Sequence, residues 1–208
     1  MTDNIFSVKG RVALVSGASS GLGEHIAEML ASHGVSVICA ARRIDLLHSL
    51  AERIVAKGGK ALAVAMDVTD RASVKAGYDL AEQAFGTPDI IVCNAGATGA
   101  QPFLEMQEPM WDNVLTVNVK GVFNLAQEGA QRMVAAGKSG NIINISSICA
   151  VSSFKGLTHY SASKAAVNQL TSVMGHELAE HDIRVNALAP GFLYTDMVAD
   201  YYETPAGQ

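Results

Sequence analysis

A chain of 208 residues, 49% of them hydrophobic, is long enough for one domain with a substantial core. Its net charge of −5, with basic residues scattered, argues against nucleic-acid binding through a basic face. No apolar run approaches the length that crosses a bilayer, and residues 1–9 lack a secretory signal pattern.

The three cysteines, Cys39, Cys93 and Cys149, are odd in number and all lie in apolar contexts. They form no CxxC pair and no metal-ligand cluster with the six histidines. Buried, reduced thiols in a cytoplasmic protein without a metal site are expected.

Residues 11–16 contain the apolar run Val12, Ala13, Leu14 and Val15, expected of a strand buried on both faces. A turn follows at once, Gly17-Ala18-Ser19-Ser20-Gly21-Leu22-Gly23, and then Ile26, Ala27, Leu30 and Ala31 mark an amphipathic helix ending near Gly34. Strand, glycine-rich turn, helix presents free backbone N–H groups and a positive helix end to a phosphate. The spacing, Gly-x3-Gly-x-Gly, differs from the commoner dinucleotide fingerprint, and a flexible turn is the plain alternative.

A second strand, 35–41, runs into Arg42 and Arg43, and a helix over 45–57 stops at Gly58-Gly59. NAD-binding units place an acidic residue at the end of this strand to bond the ribose hydroxyls. Here that slot is Ala41, followed by Arg42, a cation that suits a 2′-phosphate. NADP is therefore expected, with NAD as the alternative.

A third strand, 61–66, closes with Asp67-Val68-Thr69-Asp70, and Thr69 or Asp70 caps a helix to about 85. Asp67 falls at a strand's C-terminal end, where open α/β sheets bind ligands. A fourth strand, 89–93, precedes Asn94-Ala95-Gly96, small residues that let a backbone approach a flat ligand. Residues 110–136 carry a long helical pattern interrupted by Asn118, whose amide is either a packing group or a site residue. A fifth strand, 141–146, ends at Ser146-Ser147, and a sixth, 183–188, leads to Pro190-Gly191-Phe192-Leu193-Tyr194-Thr195. Strands alternating with helices predict a parallel sheet wrapped on both faces, in one domain spanning 1–208.

Tyr160 opens the helical pattern over 160–181, and Lys164 stands one turn further along the same face. A phenol of pKa about 10 needs about 4 kcal/mol of preference for its anion to titrate near neutrality. An ammonium about 4 Å away, at an effective dielectric of about 20, supplies an interaction of that order. The pair makes a plausible general acid/base, although by itself it reads more readily as a surface pair on an amphipathic helix.

Taken together, Gly17-x3-Gly21-x-Gly23, Asn94-Ala95-Gly96, Asn118, Ser147, Tyr160-x3-Lys164 and Pro190-Gly191 closely resemble the short-chain dehydrogenase/reductase family, over nearly the whole chain. The resemblance implies a Rossmann-type α/β/α sandwich with strand order 3-2-1-4-5-6 and a nicotinamide cofactor along the strand C-termini. It implies that Tyr160 exchanges a proton with the substrate oxygen while Lys164 lowers the phenol's pKa and bonds the nicotinamide ribose. Ser147, thirteen residues before Tyr160, would hold the substrate oxygen, and Asn118 would position a water linking Lys164 to a proton relay. The cofactor contacts implied are Gly17, Ser19, Ser20, Gly21, Leu22, Gly23, Arg42, Asp67, Val68, Asn94, Ala95, Gly96, Tyr160, Lys164, Pro190, Gly191, Phe192 and Thr195.

Members of the family continue past the equivalent of Thr195 through a helix and a seventh strand, so a C-terminally incomplete chain is expected, with the sixth strand as an apolar edge. The expected activity is NADP(H)-dependent hydride transfer on a carbonyl or secondary alcohol. A 3-oxoacyl thioester reductase of fatty-acid synthesis is the neighbouring alternative, and a non-catalytic cofactor-binding scaffold or redox sensor the alternative of another class. Ile148, Cys149, Phe154 and residues 97–101 are candidate lining for a substrate pocket. The helices containing Asn118 and Tyr160 are those through which the family forms homodimers or homotetramers.

Overall fold

The structure, a computed structural model, describes residues 6–193. Its chain order is β1 (Val12–Ser16), α1 (Gly21–Ser32), β2 (Ser36–Ala41), α2 (Ile44–Ala56), β3 (Lys60–Ala65), α3 (Arg71–Phe85) and β4 (Ile90–Cys93). There follow α4 (Glu108–Leu115), α5 (Gly121–Ala135), β5 (Gly140–Ile145), α6 (Thr158–Glu177) and β6 (Ile183–Leu188). The six strands form one sheet in the order β3-β2-β1-β4-β5-β6, with every pairing parallel. This is the doubly wound arrangement expected.

Central strands buried on both faces are nearly continuous apolar runs, and β1 is one, Val12 to Val15, with Ser16 also buried at its end. Its alternate side chains feed two cores. Leu14 joins Ile38, Ile91 and Ile142 under α3, α5 and α6, whereas Ala13 and Val15 join Val37, Cys39 and Val92 under α1 and α2. Tyr78 of α3 is fully buried in the first core and donates its hydroxyl proton to the Leu125 carbonyl at 2.9 Å. Arg132 covers its ring at 5.5 Å from the centroid and is held by Glu82, Asp79 and Glu128.

The strand order reverses between β1 and β4, so the loops after these two strands diverge and leave a crevice at the sheet's C-terminal edge. The expected long helix over 110–136 is present in three pieces, because a π turn at Thr116–Lys120 separates α4 from α5. Asn118 lies in that turn, and π turns inside helices accompany functional sites. Of the two candidate caps for α3, Asp70 does the work, its carboxylate accepting from the Ala72 N–H at 2.9 Å. Among the described residues β6 forms an edge of the sheet, and Leu188 at its end is half exposed.

Candidate active site

The crevice opens into a cavity of about 1050 Å³. One wall is the turn between β1 and α1. Gly17 and Gly21 have φ of +65° and +59°, conformations that side chains with a Cβ rarely adopt. A Cβ on Gly17 would also stand 2.8 Å from the Ala95 Cα and 2.9 Å from the Asn94 amide nitrogen, and one on Gly23 would collide with the same amide and the Gly17 carbonyl. The reason is Asn94, whose side chain donates to the carbonyls of Ser16 and Gly17 at 3.0 and 3.2 Å and pins β4 to the turn. The Ser16 hydroxyl completes the brace, accepting from the N–H groups of Asn94 and Ala95. Gly23 is thus a packing residue behind the cavity wall, while Gly17, Ser19, Ser20, Gly21 and Leu22 line it.

Ser20 precedes α1 in an extended conformation and makes no side-chain cap, so the first N–H groups of the helix keep their capacity for an anion. Both arginines after β2 line the cavity. Sequence reasoning singled out Arg42. It is the Arg43 guanidinium, however, that grips the turn, donating to Ser19 Oγ at 2.8 and 3.2 Å and to Ser20 Oγ at 2.8 Å. Arg43 was hidden from a sequence reading because it doubles as the residue leading into α2. Asp67, on the adjacent wall, accepts from the N–H and the hydroxyl of Thr69 at 2.9 and 2.8 Å. Those bonds, the backbone one foremost, hold its carboxyl below the usual range, and Arg42 adds to the effect. Val68 lies beside it in the lining.

The opposite end of the cavity gathers Ser147, Tyr160 and Lys164. Ser147 caps a single 3-10 turn over Ile148–Ala150, its hydroxyl accepting from the Cys149 N–H at 3.1 Å. The same hydroxyl interacts with the Tyr160 phenol. Its neighbour Ser146 turns the other way, into the protein, donating to the Lys164 carbonyl at 3.3 Å. Tyr160 and Lys164 sit in the first turns of α6, which begins at Thr158 rather than at Tyr160. Lys164 is 4% exposed; its ammonium donates to the Ile145 carbonyl at 2.7 Å and stands 5.5 Å from the Tyr160 ring centroid.

Burial shifts both groups. It lowers the Lys164 pKa to about 8 and raises that of Tyr160, an effect the Ser147 hydroxyl partly opposes. Burial thus works on the phenol against the acidification that the spacing of the lysine suggests. The Lys164 ammonium keeps its charge and two further donors beyond the bond to the Ile145 carbonyl, while desolvation is the largest effect on the phenol.

Asn118 lies behind this wall, fully buried and outside the cavity lining. Its amide donates to the Ala97 carbonyl at 3.0 Å and to Ser163 Oγ at 2.9 Å, and its carbonyl accepts from the Ala97 N–H at 2.8 Å. It therefore ties the loop after β4 to α6, one residue from Lys164. Asn94, Ala95 and Gly96 lie along the floor, and Pro190, Gly191 and Phe192 along the rim. Thr195, the remaining expected contact, lies outside the described residues. Of the candidate substrate residues, Ile148, Cys149 and Phe154 line the cavity with Thr98, Gly99 and Ala100. Lys155 and Leu157 also line it; nothing in their local pattern distinguishes them from ordinary loop residues.

Such a cavity can take a long ligand with an anionic middle at the α1 terminus, a polar end near Asp67 and the arginines, and a reacting end at Tyr160. Known proteins resemble this chain in sequence and fold. Residues 11–206 match a family model described as short chain dehydrogenase. The chain is 38% identical over 190 residues to a 3-oxoacyl-(acyl-carrier-protein) reductase of Thermotoga maritima, covering 91% of this chain and 77% of the relative. It is 36% identical over 194 residues to a gluconate 5-dehydrogenase of Gluconobacter oxydans, covering 93% and 75%. Among solved structures, a gluconate 5-dehydrogenase from Burkholderia cenocepacia in complex with NADP and tartrate superposes with a TM-score of 0.92 at 34% identity. That match spans 97% of this chain and 79% of the other. A short-chain type dehydrogenase/reductase from Mycobacterium marinum gives 0.91 at 40% identity, spanning 95% and 80%.

Proposed function

This chain belongs to the short-chain dehydrogenase/reductase family, and on that premise we propose that it is an NADP(H)-dependent oxidoreductase acting on a carbonyl or secondary alcohol. The observation that carries the proposal is the meeting of Ser147, Tyr160 and Lys164 in the same cavity as the glycine turn and Arg42. A protein with no chemistry has no use for that set, which argues against a scaffold or sensor.

The residues fit the dinucleotide. Gly17 and Gly21 shape a turn open to a pyrophosphate, and the uncapped α1 terminus receives its charge. Arg42 and Arg43 suit a 2′-phosphate where an acidic residue would repel it. Asp67 and Val68 lie where the adenine end would rest, and Asn94, Ala95 and Gly96 let the ligand approach the floor. Pro190, Gly191 and Phe192 would lie against the nicotinamide half. When bound, the nicotinamide supplies or accepts the hydride.

The chain's own residues manage the proton and the geometry. In reduction the neutral Tyr160 phenol donates its proton to the substrate oxygen; in oxidation the phenolate takes it back. Ser147 donates a hydrogen bond to that oxygen and holds it against the phenol. Lys164, cationic below about pH 8, stabilises the phenolate as the proton leaves and bonds the cofactor ribose. Asn118 sets the distance between the Ala97 loop and α6, and so positions the relay rather than touching substrate.

We take residues 1–208 as one NADP-binding domain, acting in the cytoplasm as a homodimer or homotetramer without nucleic-acid, membrane or metal partners. The identity to a 3-oxoacyl-(acyl-carrier-protein) reductase favours, as a second reading, a 3-oxoacyl thioester as substrate. The test is consumption of NADPH and of NADH, followed by absorbance, across a panel of ketones, aldehydes and oxoacyl thioesters. Turnover with NADPH preferred supports the proposal. Binding of cofactor with no oxidation across the panel would return the scaffold reading.

A further inference from the structure

The strands that end at the reacting site are neighbours in the sheet, in the order β4-β5-β6. Ser147 follows β5, so it stands between the loop after β4 and the segment after β6. These two flanks differ. On the β4 side the lining is Thr98, Gly99 and Ala100, with no side chain larger than that of threonine. A Cβ added to Gly99 would meet the end of the Met110 side chain at 3.4 and 3.6 Å, ordinary contact with a flexible group.

On the β6 side the lining is aromatic. Phe192 follows Pro190-Gly191, and Phe154 reaches it from the segment before α6. The rings meet edge to face, centroids 5.2 Å apart at 88°, an arrangement that aromatic pairs favour. The backbones beneath the pair are anchored. The Ile148 N–H donates to the Pro190 carbonyl at 2.9 Å, and the Gln101 N–H donates at 2.9 Å to the carbonyl of Gly156, two residues beyond Phe154.

A ketone oxygen held by Tyr160 and Ser147 leaves the flat carbonyl two placements, which exchange its substituents between the flanks. That exchange also turns the opposite face of the carbonyl toward the hydride. The flank each substituent takes therefore sets the hand of the alcohol formed. Two rings in contact leave less room than glycine and alanine, and forcing bulk into a packed wall costs binding.

We infer, on the oxidoreductase reading, that the Phe154–Phe192 pair is the specificity-determining element of the substrate end. It confines the smaller substituent to the β6 flank and sends the larger one to Thr98, Gly99 and Ala100. The substrate that fits is a prochiral ketone with one small substituent beside its carbonyl, or the matching secondary alcohol of a single hand.

The test reduces methyl ketones bearing a phenyl, cyclohexyl or tert-butyl group with NADPH, and separates the alcohol enantiomers by chiral chromatography. A second series replaces the methyl group by ethyl and propyl. Wild type should give an enantiomer ratio above about ten, and kcat/KM should fall about tenfold or more from methyl to ethyl, the scale of one misplaced methylene. In Phe154→Ala, and separately in Phe192→Ala, the ratio should drop to within about threefold of one and the penalty on ethyl should shrink. The double variant should go no further, because either change removes the pair. Phe154→Leu, with a smaller apolar side chain, should fall between. Val151→Ala, at an exposed residue of the same segment outside the cavity lining, should keep the wild-type ratio. The ratio is internal to each reaction, so a loss of folded enzyme or of NADPH affinity does not move it. A wild-type ratio near one, a ratio retained in both phenylalanine variants, or an equal loss in Val151→Ala overturns the inference and leaves the oxidoreductase reading intact. So does failure with these ketones where another carbonyl compound is reduced. Absence of NADPH oxidation with every carbonyl compound overturns that reading and the inference together.

Discussion

Lys164 holds its ammonium 5.5 Å from the centre of the Tyr160 ring while donating a 2.7 Å hydrogen bond to the carbonyl of Ile145. The lysine is thereby anchored to the last residue of β5, and the tyrosine rides one turn earlier on α6. Strand, helix and proton relay form one mechanical unit. Sliding α6 along β5 would separate the phenol from Ser147, which stands at the end of the same strand.

The first consequence concerns pH. Carbonyl reduction needs a protonated phenol and a charged lysine. Burial raises the Tyr160 pKa and lowers that of Lys164 to about 8, so the lysine sets the upper limit. Reduction at saturating NADPH should fall as pH rises through about 8. A Lys164→Arg variant, whose guanidinium stays charged, should lose that limb of the profile even where its absolute rate is low. A limb retained in Lys164→Arg would assign the titration to another group.

The same lysine makes stability depend on pH. Its folded pKa is about 8 against an ordinary value of 10.5, so between these values the unfolded chain binds the extra proton. Stability then rises with pH across that window, by at most about 3 kcal/mol from this residue. Urea unfolding of wild type and Lys164→Met at pH values below and above the window should show the difference between them shifting in favour of wild type at the higher pH. Parallel profiles would mean that the buried nitrogen keeps its ordinary pKa.

Gly23 offers a test of packing apart from chemistry. A Cβ there meets the Asn94 amide and the Gly17 carbonyl, so Gly23→Ala must push apart the turn and β4. Overpacking of this kind costs about 1–3 kcal/mol. Gly23→Ala should lower the unfolding midpoint and weaken NADPH binding together, whereas Gly58→Ala, whose Cβ would enter open space, should affect stability alone. Normal NADPH affinity in Gly23→Ala would detach the brace from the cofactor site.

Asn118 is predicted to act through position. Replacing it by Leu leaves the Ala97 N–H and carbonyl and the Ser163 hydroxyl without these partners, at a cost of about 1–3 kcal/mol for each group that stays buried. A Ser163→Ala variant loses one of those bonds, together with the hydroxyl's own bond to the Tyr160 carbonyl at 2.7 Å. The expected order of kcat is wild type, Ser163→Ala, Asn118→Leu, with KM for NADPH changing less than kcat. Equal kcat in all three would make the bridge purely structural.

On the proposed function, Arg42 and Arg43 would divide the recognition of the 2′-phosphate. Arg42→Ala is expected to weaken NADPH binding by about 1.5–3 kcal/mol, the worth of a hydrogen bond to a charged group, and to spare NADH. Arg43→Ala removes the bonds to Ser19 and Ser20 as well, so it should weaken NADPH binding and, to a smaller degree, NADH binding. Equal loss of both cofactors in Arg42→Ala would contradict its assignment.

The order of the elements was legible because buried parallel strands are nearly continuous apolar runs, such as Val12 to Val15, and each ends in a chemically marked loop. The cavity residues were legible where the chemistry demands one residue type, as at Gly17, Ser147, Tyr160 and Lys164. Arg43 was not, since its hold on Ser19 and Ser20 bridges 23–24 positions that no local pattern connects. The π turn that carries Asn118 was visible only as a polar residue in a helical stretch, because apolar spacing does not register one extra residue in a turn. The depth at which Tyr160 is buried was not legible either. Spacing on a helix reports proximity to Lys164, whereas the desolvation that raises the phenol's pKa depends on the tertiary surroundings.

The central claim is that the Tyr160 phenol hands a proton to the substrate oxygen as hydride arrives. Single-turnover oxidation of bound NADPH by a carbonyl substrate, in wild type and Tyr160→Phe, tests it with the cofactor affinity measured in parallel. The account predicts hydride transfer slower by about 10²–10⁴-fold in the variant, with NADPH bound within a few-fold as tightly. Equal single-turnover rates would contradict it.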